Sequence, residues 1–191
     1  MNERKPKLLP VQVPWMVAFS SPFLRGHLTE SGQPSAITFV GYFKLDHVRL
    51  PGTEAHFEMV KEPVKFEPAR TDERCPYRLI RINFSGGRDI RTLPAFSDSQ
   101  VIEESRYDWS GVPGDLLPGE DAMANHRRTD QYWLDTGTSP DPGVYEVEGS
   151  TWLAELSDDS DGLHHYMILG RDEYVEVLAE GWSWQAGQSV A

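Results

Sequence analysis

The chain has only one cysteine, Cys75, among its 191 residues, so no disulfide can form within it. A disulfide-free chain is typical of a reducing compartment, and we therefore expect a cytoplasmic protein. No apolar run approaches the length of a membrane span, and Pro10, Gln12 and Pro14 interrupt the residues behind the charged N-terminus. The sequence therefore predicts neither export nor a membrane anchor.

Positive charge is scarce in the second half of the chain, where lysine is absent after Lys65. Residues 1–97 contain 14 Lys and Arg against 10 Asp and Glu, whereas residues 98–191 contain 4 against 20. The formal net charge is −12. Such a field repels nucleic acid and attracts basic proteins, although an acidic surface also serves solubility alone.

Aromatic residues (11%), 16 glycines and 14 prolines favour strands joined by short loops. Helical and strand-like segments do not alternate in a βαβ rhythm, and no internal repeat is present. We predict one α+β domain over 1–191 that is mainly β, built as a curved antiparallel sheet or partial barrel. Short helices, a basic lead-in at 1–10 and an irregular, loop-rich insertion at 97–143 complete it.

Apolar runs and turn residues predict the individual elements. Strands are expected at 11–19, 36–50, 54–66, 77–84, 89–96 and 144–147, and short helices at about 99–107 and 119–128. Ser150 is expected to cap a two-turn helix, and 163–169 and 173–184 to form a C-terminal β-hairpin around Gly170. The predicted core contains Trp15, Phe39, Tyr42, Phe43, Leu79, Ile80, Ile82, Val175 and Val177.

Glu54, His56 and Glu58 share one face of a predicted strand, and His47 precedes them across a Pro-Gly turn. Imidazole and carboxylate groups in this arrangement suit a divalent transition metal or acid–base chemistry. The alternating apolar residues between them favour the simpler interpretation, a solvated strand face. We therefore predict no metal and no other cofactor at this cluster.

His164 and His165 are adjacent in a predicted strand, so their rings should point to opposite faces, one buried and one exposed. Glu176 in the partner strand is a candidate neighbour for either ring. A histidine beside a carboxylate can act as a base, but a structural role is the expected one.

Arginines are concentrated between positions 70 and 91, where they could clamp phosphates or an acidic partner. They are Arg70, Arg74, Arg78, Arg81, Arg88 and Arg91. We expect them to pair internally with the acidic second half of the chain.

No nucleophile, base and orienting group occur at a recognisable spacing, so the sequence does not indicate an enzyme and assigns no catalytic residue. The segregated charge instead predicts an interaction protein of the inhibitor or immunity type that binds a basic protein partner. Asp158, Asp159 and Asp161 are the expected contact carboxylates, with Trp109 and Trp133 as apolar anchors. The alternative is a small-molecule-binding barrel, or a metal enzyme using the His47, Glu54, His56 and Glu58 cluster.

Overall fold

The computed structural model describes residues 5–19, 24–44, 76–94, 102–156 and 160–189. Its strands are β1 (Lys7–Pro10), β2 (Trp15–Val17), β3 (Arg25–Leu28), β4 (Pro34–Phe43), β5 (Tyr77–Ser85), β6 (Asp89–Pro94), β7 (Val144–Glu148), β8 (His164–Leu169), β9 (Glu173–Ala179) and β10 (Gly181–Ser189). The helices are α1 (Ala122–Thr136) and α2 (Thr151–Glu155), with one 3₁₀ turn at Glu104–Arg106. The predicted strand 54–66 lies outside the described residues.

The strands form two antiparallel sheets, which confirms the mainly β, α+β class; the sheets do not close into a barrel. Sheet A has the order β1-β7-β8-β9-β6, and sheet B has the order β10-β5-β4-β2 with β3 also paired to β4. Neither helix in the described ranges has the length and apolar character of a membrane span.

The two sheets pack against each other through one apolar core. Inward side chains alternate along each strand, as they must when one face of a sheet is buried. Trp15 is fully buried and meets Phe39 and Trp184 edge-on, with ring centroids 5.4 and 5.6 Å away. Burying a large apolar side chain stabilises a fold by roughly 1.5–3 kcal/mol. Members from both sheets are Trp15, Ile37, Phe39, Phe43, Ile80, Ile82, Tyr166, Ile168, Val175 and Val177.

Most of the predicted core is confirmed, with one error at Leu79. This side chain is 42% exposed, because it alternates with the buried Ile80 and Ile82 and so faces away from sheet A. Tyr42, on the corresponding face of β4, is half-buried and its ring packs against Trp133 of α1.

The predicted hairpin is present, but the strand expected over 173–184 is two strands. β9 pairs with β8 in sheet A, and the chain then crosses at Glu180 so that β10 pairs with β5 in sheet B. The Glu180 amide donates to the Ser85 carbonyl at 3.0 Å, which fixes this corner. Likewise β6 does not pair with β5, the strand before it in the chain, but with β9 in sheet A.

Residues 102–112, between β6 and β7, pack onto the outer face of sheet A. Ile102, Tyr107 and Val112 are buried there against Leu8 and Met167. The predicted helix 119–128 is observed as the longer α1, which begins after Asp121 and ends at Gly137. Asp121 accepts a hydrogen bond from the Ala124 amide at 2.7 Å, and Gly137 takes the left-handed conformation (φ 69°) that ends a helix.

Candidate functional sites

Carboxylates from four separate segments gather at one end of the two-sheet structure, which we call the acidic end. Glu148 ends β7, Glu155 ends α2, Asp161 precedes β8, and Glu180 links β9 to β10. β8 runs antiparallel to both β7 and β9, so the end of β7, the start of β8 and the end of β9 lie together.

All four carboxylates of the acidic end are exposed, and their side chains form no hydrogen bond or ion pair with the part of the chain that the structure describes. Elsewhere many carboxylates have partners. These pairs are Glu120 with Arg128 at 2.9 Å, Asp130 with Lys44 at 2.5 Å, Glu146 with His164 at 2.6 Å, and Glu173 with the Leu24 amide at 2.7 Å. Local cation pairing therefore does not account for the carboxylates at the acidic end.

Of the predicted contact carboxylates, Asp161 belongs to the acidic end, whereas Asp158 and Asp159 lie outside the described residues. The predicted anchors are both engaged in packing. Trp109 is half-buried, its indole N–H donates to the Glu104 carbonyl at 3.0 Å, and its ring meets Tyr145 edge-on. Trp133 is buried on α1. Their part in binding a partner stays a prediction.

The histidine doublet divides between the two faces of β8, as its spacing predicts. His164 is exposed and its Nδ1 lies 2.6 Å from a carboxylate oxygen of Glu146. His165 is 4% exposed, and Trp152 of α2 meets its ring edge-on at 5.3 Å between centroids. The buried ring is therefore held between sheet A and α2.

His165 joins two further buried polar groups in a chain of contacts. Its Nδ1 lies 2.7 Å from Ser150 Oγ, and its Nε2 lies 3.2 Å from Glu176 Oε1, close enough for an ion pair but out of line for a hydrogen bond. Ser150 Oγ also accepts the Leu153 amide at 3.2 Å, which confirms Ser150 as the predicted helix cap. Glu176 was predicted as a neighbour of one histidine of the doublet, whereas Ser150 as the third member was not expected from the sequence.

A hydroxyl, an imidazole and a carboxylate in this order resemble the groups of a nucleophilic relay. A nucleophile must reach a substrate, however, and Ser150 is buried while its oxygen is occupied in capping α2. Burial and the charge of Glu176 also raise the pKa of the neighbouring Tyr107 to about 12, so this phenol remains protonated. The arrangement is that of a structural network which supplies partners for buried polar groups.

The predicted His47, Glu54, His56 and Glu58 cluster lies outside the described residues, so the structure leaves the metal question there untested. Within the described ranges, no three His, Cys, Asp or Glu side chains are grouped closely enough to hold a metal ion.

For Arg81 and Arg91, the structure shows contacts other than the expected ion pairs with the acidic second half of the chain. Arg70 and Arg74 lie outside the described residues. Arg91 stacks over the Trp152 ring, with its guanidinium carbon 3.6 Å from the ring centroid. Arg81 donates from Nε to Asn83 Oδ1 at 2.9 Å. Neither Arg81 nor Arg91 forms an ion pair with any described carboxylate.

Comparison of the chain with models of known protein families, with curated proteins and with solved structures finds no match.

Proposed function

We propose that this protein is an acidic interaction protein, of the inhibitor or immunity type, that binds a basic protein partner through its acidic end. The observation that carries the proposal is the set of exposed carboxylates at Glu148, Glu155, Asp161 and Glu180, which have no side-chain partner in the described structure. Carboxylates held close together repel one another, and a cationic partner relieves that repulsion.

The shape of the acidic end supports contact with a protruding basic side chain. Asp161 and Glu180 both line an open depression of about 440 Å³, whose lining also includes Phe84 and one cation, Arg88. A lysine or arginine of the partner fits here with its charged group near the carboxylates and its methylene groups near the aromatic ring. A contact of this kind supports both charge pairing and apolar packing.

The charge contribution should appear mainly in the rate of association. At physiological salt the Debye length is about 8 Å, so exposed charges act on an approaching partner more than on a formed complex. Electrostatic steering raises association rate constants by roughly 10- to 1,000-fold at low salt. Dissociation depends instead on the apolar contacts at the centre of the interface.

The test begins with a pull-down at low and high salt from cells of the protein's own source, which identifies the partner. Association and dissociation rate constants are then measured by stopped flow for the wild type and for a Glu148→Gln, Asp161→Asn, Glu180→Gln triple variant. We expect association at low salt to slow by about tenfold or more, with little change in dissociation.

A second triple variant, Glu104→Gln, Asp135→Asn, Asp172→Asn, is the matched control. It removes the same charge from exposed positions outside the acidic end. If both triple variants slow association equally, net charge and not the acidic end steers the partner. If neither slows it, the carboxylates serve solubility and the proposal is wrong.

A further inference from the structure

A row of polar side chains crosses the outer face of sheet B. In the strand register Arg25 of β3 lies opposite Thr38 of β4, Thr38 lies opposite Arg81 of β5, and Arg81 lies opposite Gln185 of β10. Residues directly opposite one another project from the same face with Cβ atoms roughly 4.5–5.5 Å apart. The register therefore places two guanidinium groups on either side of one hydroxyl.

An apolar row lies beside the polar one. Val40 is opposite Leu79, each two residues along its strand from a member of the polar row, so it faces the same way. Leu79 is the exposed side chain that the core prediction misplaced. Both rows line a single open groove of about 720 Å³.

The positive charge in this groove is not compensated by the described residues. Arg25 is exposed, and its side chain forms no hydrogen bond or ion pair with the described residues; Arg81 uses only its Nε, on Asn83. None of the five strands of sheet B contains an aspartate or glutamate, whereas sheet A contains Glu146 and Glu176, among others. Arg25 and Arg81 lie on β3 and β5 with Thr38 of β4 between them, two strand spacings or roughly 9–10 Å apart. An anion over Thr38 would therefore lie between the two positive charges.

The His27 ring is exposed to the positive charge of the same two arginines. Its Nε2 lies 2.8 Å from Thr38 Oγ1, so the ring borders the polar row. Burial, followed by the charges of Arg81 and Arg25, lowers the pKa of His27. Both guanidinium groups therefore act on the position where an anion would lie.

We propose that this groove binds a small organic oxyanion, of which a phosphate monoester is the simplest form. The oxyanion accepts hydrogen bonds from Arg25, Arg81 and Thr38, and the apolar part of the ligand lies over Val40 and Leu79. Two guanidinium groups match an anion with two negative charges, and guanidinium is well suited to phosphate oxygens. The protein's net charge of −12 disfavours a long polyanion such as nucleic acid, but it has little effect on a small ion.

The experiment uses the full-length chain and three probes, namely phenyl phosphate, inorganic phosphate and phenol. Titrations at pH 7.5 are followed by calorimetry and by the amide resonances of β3, β4 and β5. We expect phenyl phosphate to bind with a dissociation constant on the order of 1 mM or tighter. The other two probes should bind more weakly, because each occupies only one of the two rows.

Replacing both arginines tests the polar row. The Arg25→Gln, Arg81→Gln double variant should bind phenyl phosphate at least about tenfold more weakly, because charge-assisted hydrogen bonds are lost. Arg127→Gln removes one charge from the exposed face of α1 and should leave binding unchanged. The thermal unfolding of the double variant should match that of the wild type, since both side chains lie on the outer face of sheet B and the substitutions remove no core contact.

The His27 ring provides a second readout. Bound phenyl phosphate should raise the pKa of His27, measured from its ring proton shifts, because the anion offsets the two guanidinium charges. Equal affinity of wild type and double variant, or inorganic phosphate binding as tightly as phenyl phosphate, would overturn the proposal. Failure of phenyl phosphate to bind at millimolar concentration would also overturn it.

Discussion

A buried polar side chain needs a partner within the protein, whereas an exposed one can contact water. His165 and its neighbour His164 illustrate this difference. Its neighbour His164 has the same chemistry but faces solvent, where water can replace any contact it loses. His165 lies among Ser150, Glu176 and Trp152, with no water-filled surface beside it. Adjacent residues of a strand face opposite sides, so His165 has a structural role that His164 lacks.

We expect His165→Ala to lower the free energy of unfolding by about 3–5 kcal/mol, measured by urea denaturation at pH 7. The substitution leaves the Glu176 carboxylate buried without its partner and opens space beside Trp152. His164→Ala is the control and should cost no more than about 1 kcal/mol, because its contact with Glu146 is exposed. Equal losses for the two variants would contradict the assigned burial.

A double variant separates the effect of the charge from that of the packing. Replacing His165 and Glu176 together by Leu should recover much of the stability lost in His165→Ala, since no uncompensated polar group then remains. If the double variant is as unstable as His165→Ala, the loss comes from packing and not from Glu176.

At the scale of elements, α1 holds the preceding loop through Arg128, with further hydrogen bonds from Asn125 to the carbonyls of Gly114 and Asp115. Arg128 donates to both carboxylate oxygens of Glu120 at 2.9 Å and to the carbonyls of Pro113 and Asp115. The loop over 113–120 lacks regular backbone pairing of its own, so these bonds substitute for it. These hydrogen bonds hold the irregular segment 113–120 against α1.

The same contact predicts a pH dependence. The hydrogen bonds from Arg128 lower the pKa of Glu120 from 4.5 to about 2. A depressed pKa in the folded state means that the contribution to stability is complete above about pH 4.5 and is lost as the pH falls towards 2. Glu120→Gln should therefore be less stable than the wild type at pH 7, and the difference should disappear near pH 2.

Urea denaturation at several pH values measures this difference. Glu104→Gln, an exposed carboxylate on the neighbouring 3₁₀ turn, is the control and should show no such dependence. A Glu120→Gln deficit that stays constant from pH 7 to pH 2 would show that the ion pair does not stabilise the loop.

At the scale of the whole molecule, the acidic end combines carboxylates whose mutual repulsion opposes folding. Such groups are tolerated where function needs them, at some cost in stability. We expect the Glu148→Gln, Asp161→Asn, Glu180→Gln variant to have a higher Tm than the wild type at low salt. This difference in Tm should disappear in about 1 M salt, where the Debye length is about 3 Å.

Tm is measured by calorimetry at both salt concentrations. The proteins compared are the wild type, this variant and the Glu104→Gln, Asp135→Asn, Asp172→Asn control. A rise in Tm confined to the acidic-end variant supports local repulsion. An equal rise in both variants would show that only the net charge matters.

The sequence by itself determined features that depend on local chemistry. Strand alternation predicted the divided histidine doublet, and the side chain of Ser150 predicted the start of α2. The apolar run of β5 predicted the buried Ile80 and Ile82 but wrongly included Leu79. These follow from the two-residue period of a strand and from the unpaired amides at a helix start. The overall β class followed from composition and turn residues in the same way.

Only the tertiary structure decided which strands pair and therefore which distant residues meet. No local signal shows that the chain changes sheets at Glu180, because Glu173–Ala179 and Gly181–Ser189 are both good strands. Pairing within sheet B places Arg25 and Arg81 on either side of Thr38, and pairing of β7 with β8 in sheet A brings Ser150 to His165. Both arrangements depend on the register between segments that are apart in the chain. Register is set by the burial of whole sheet faces, a collective property that no short stretch of sequence contains.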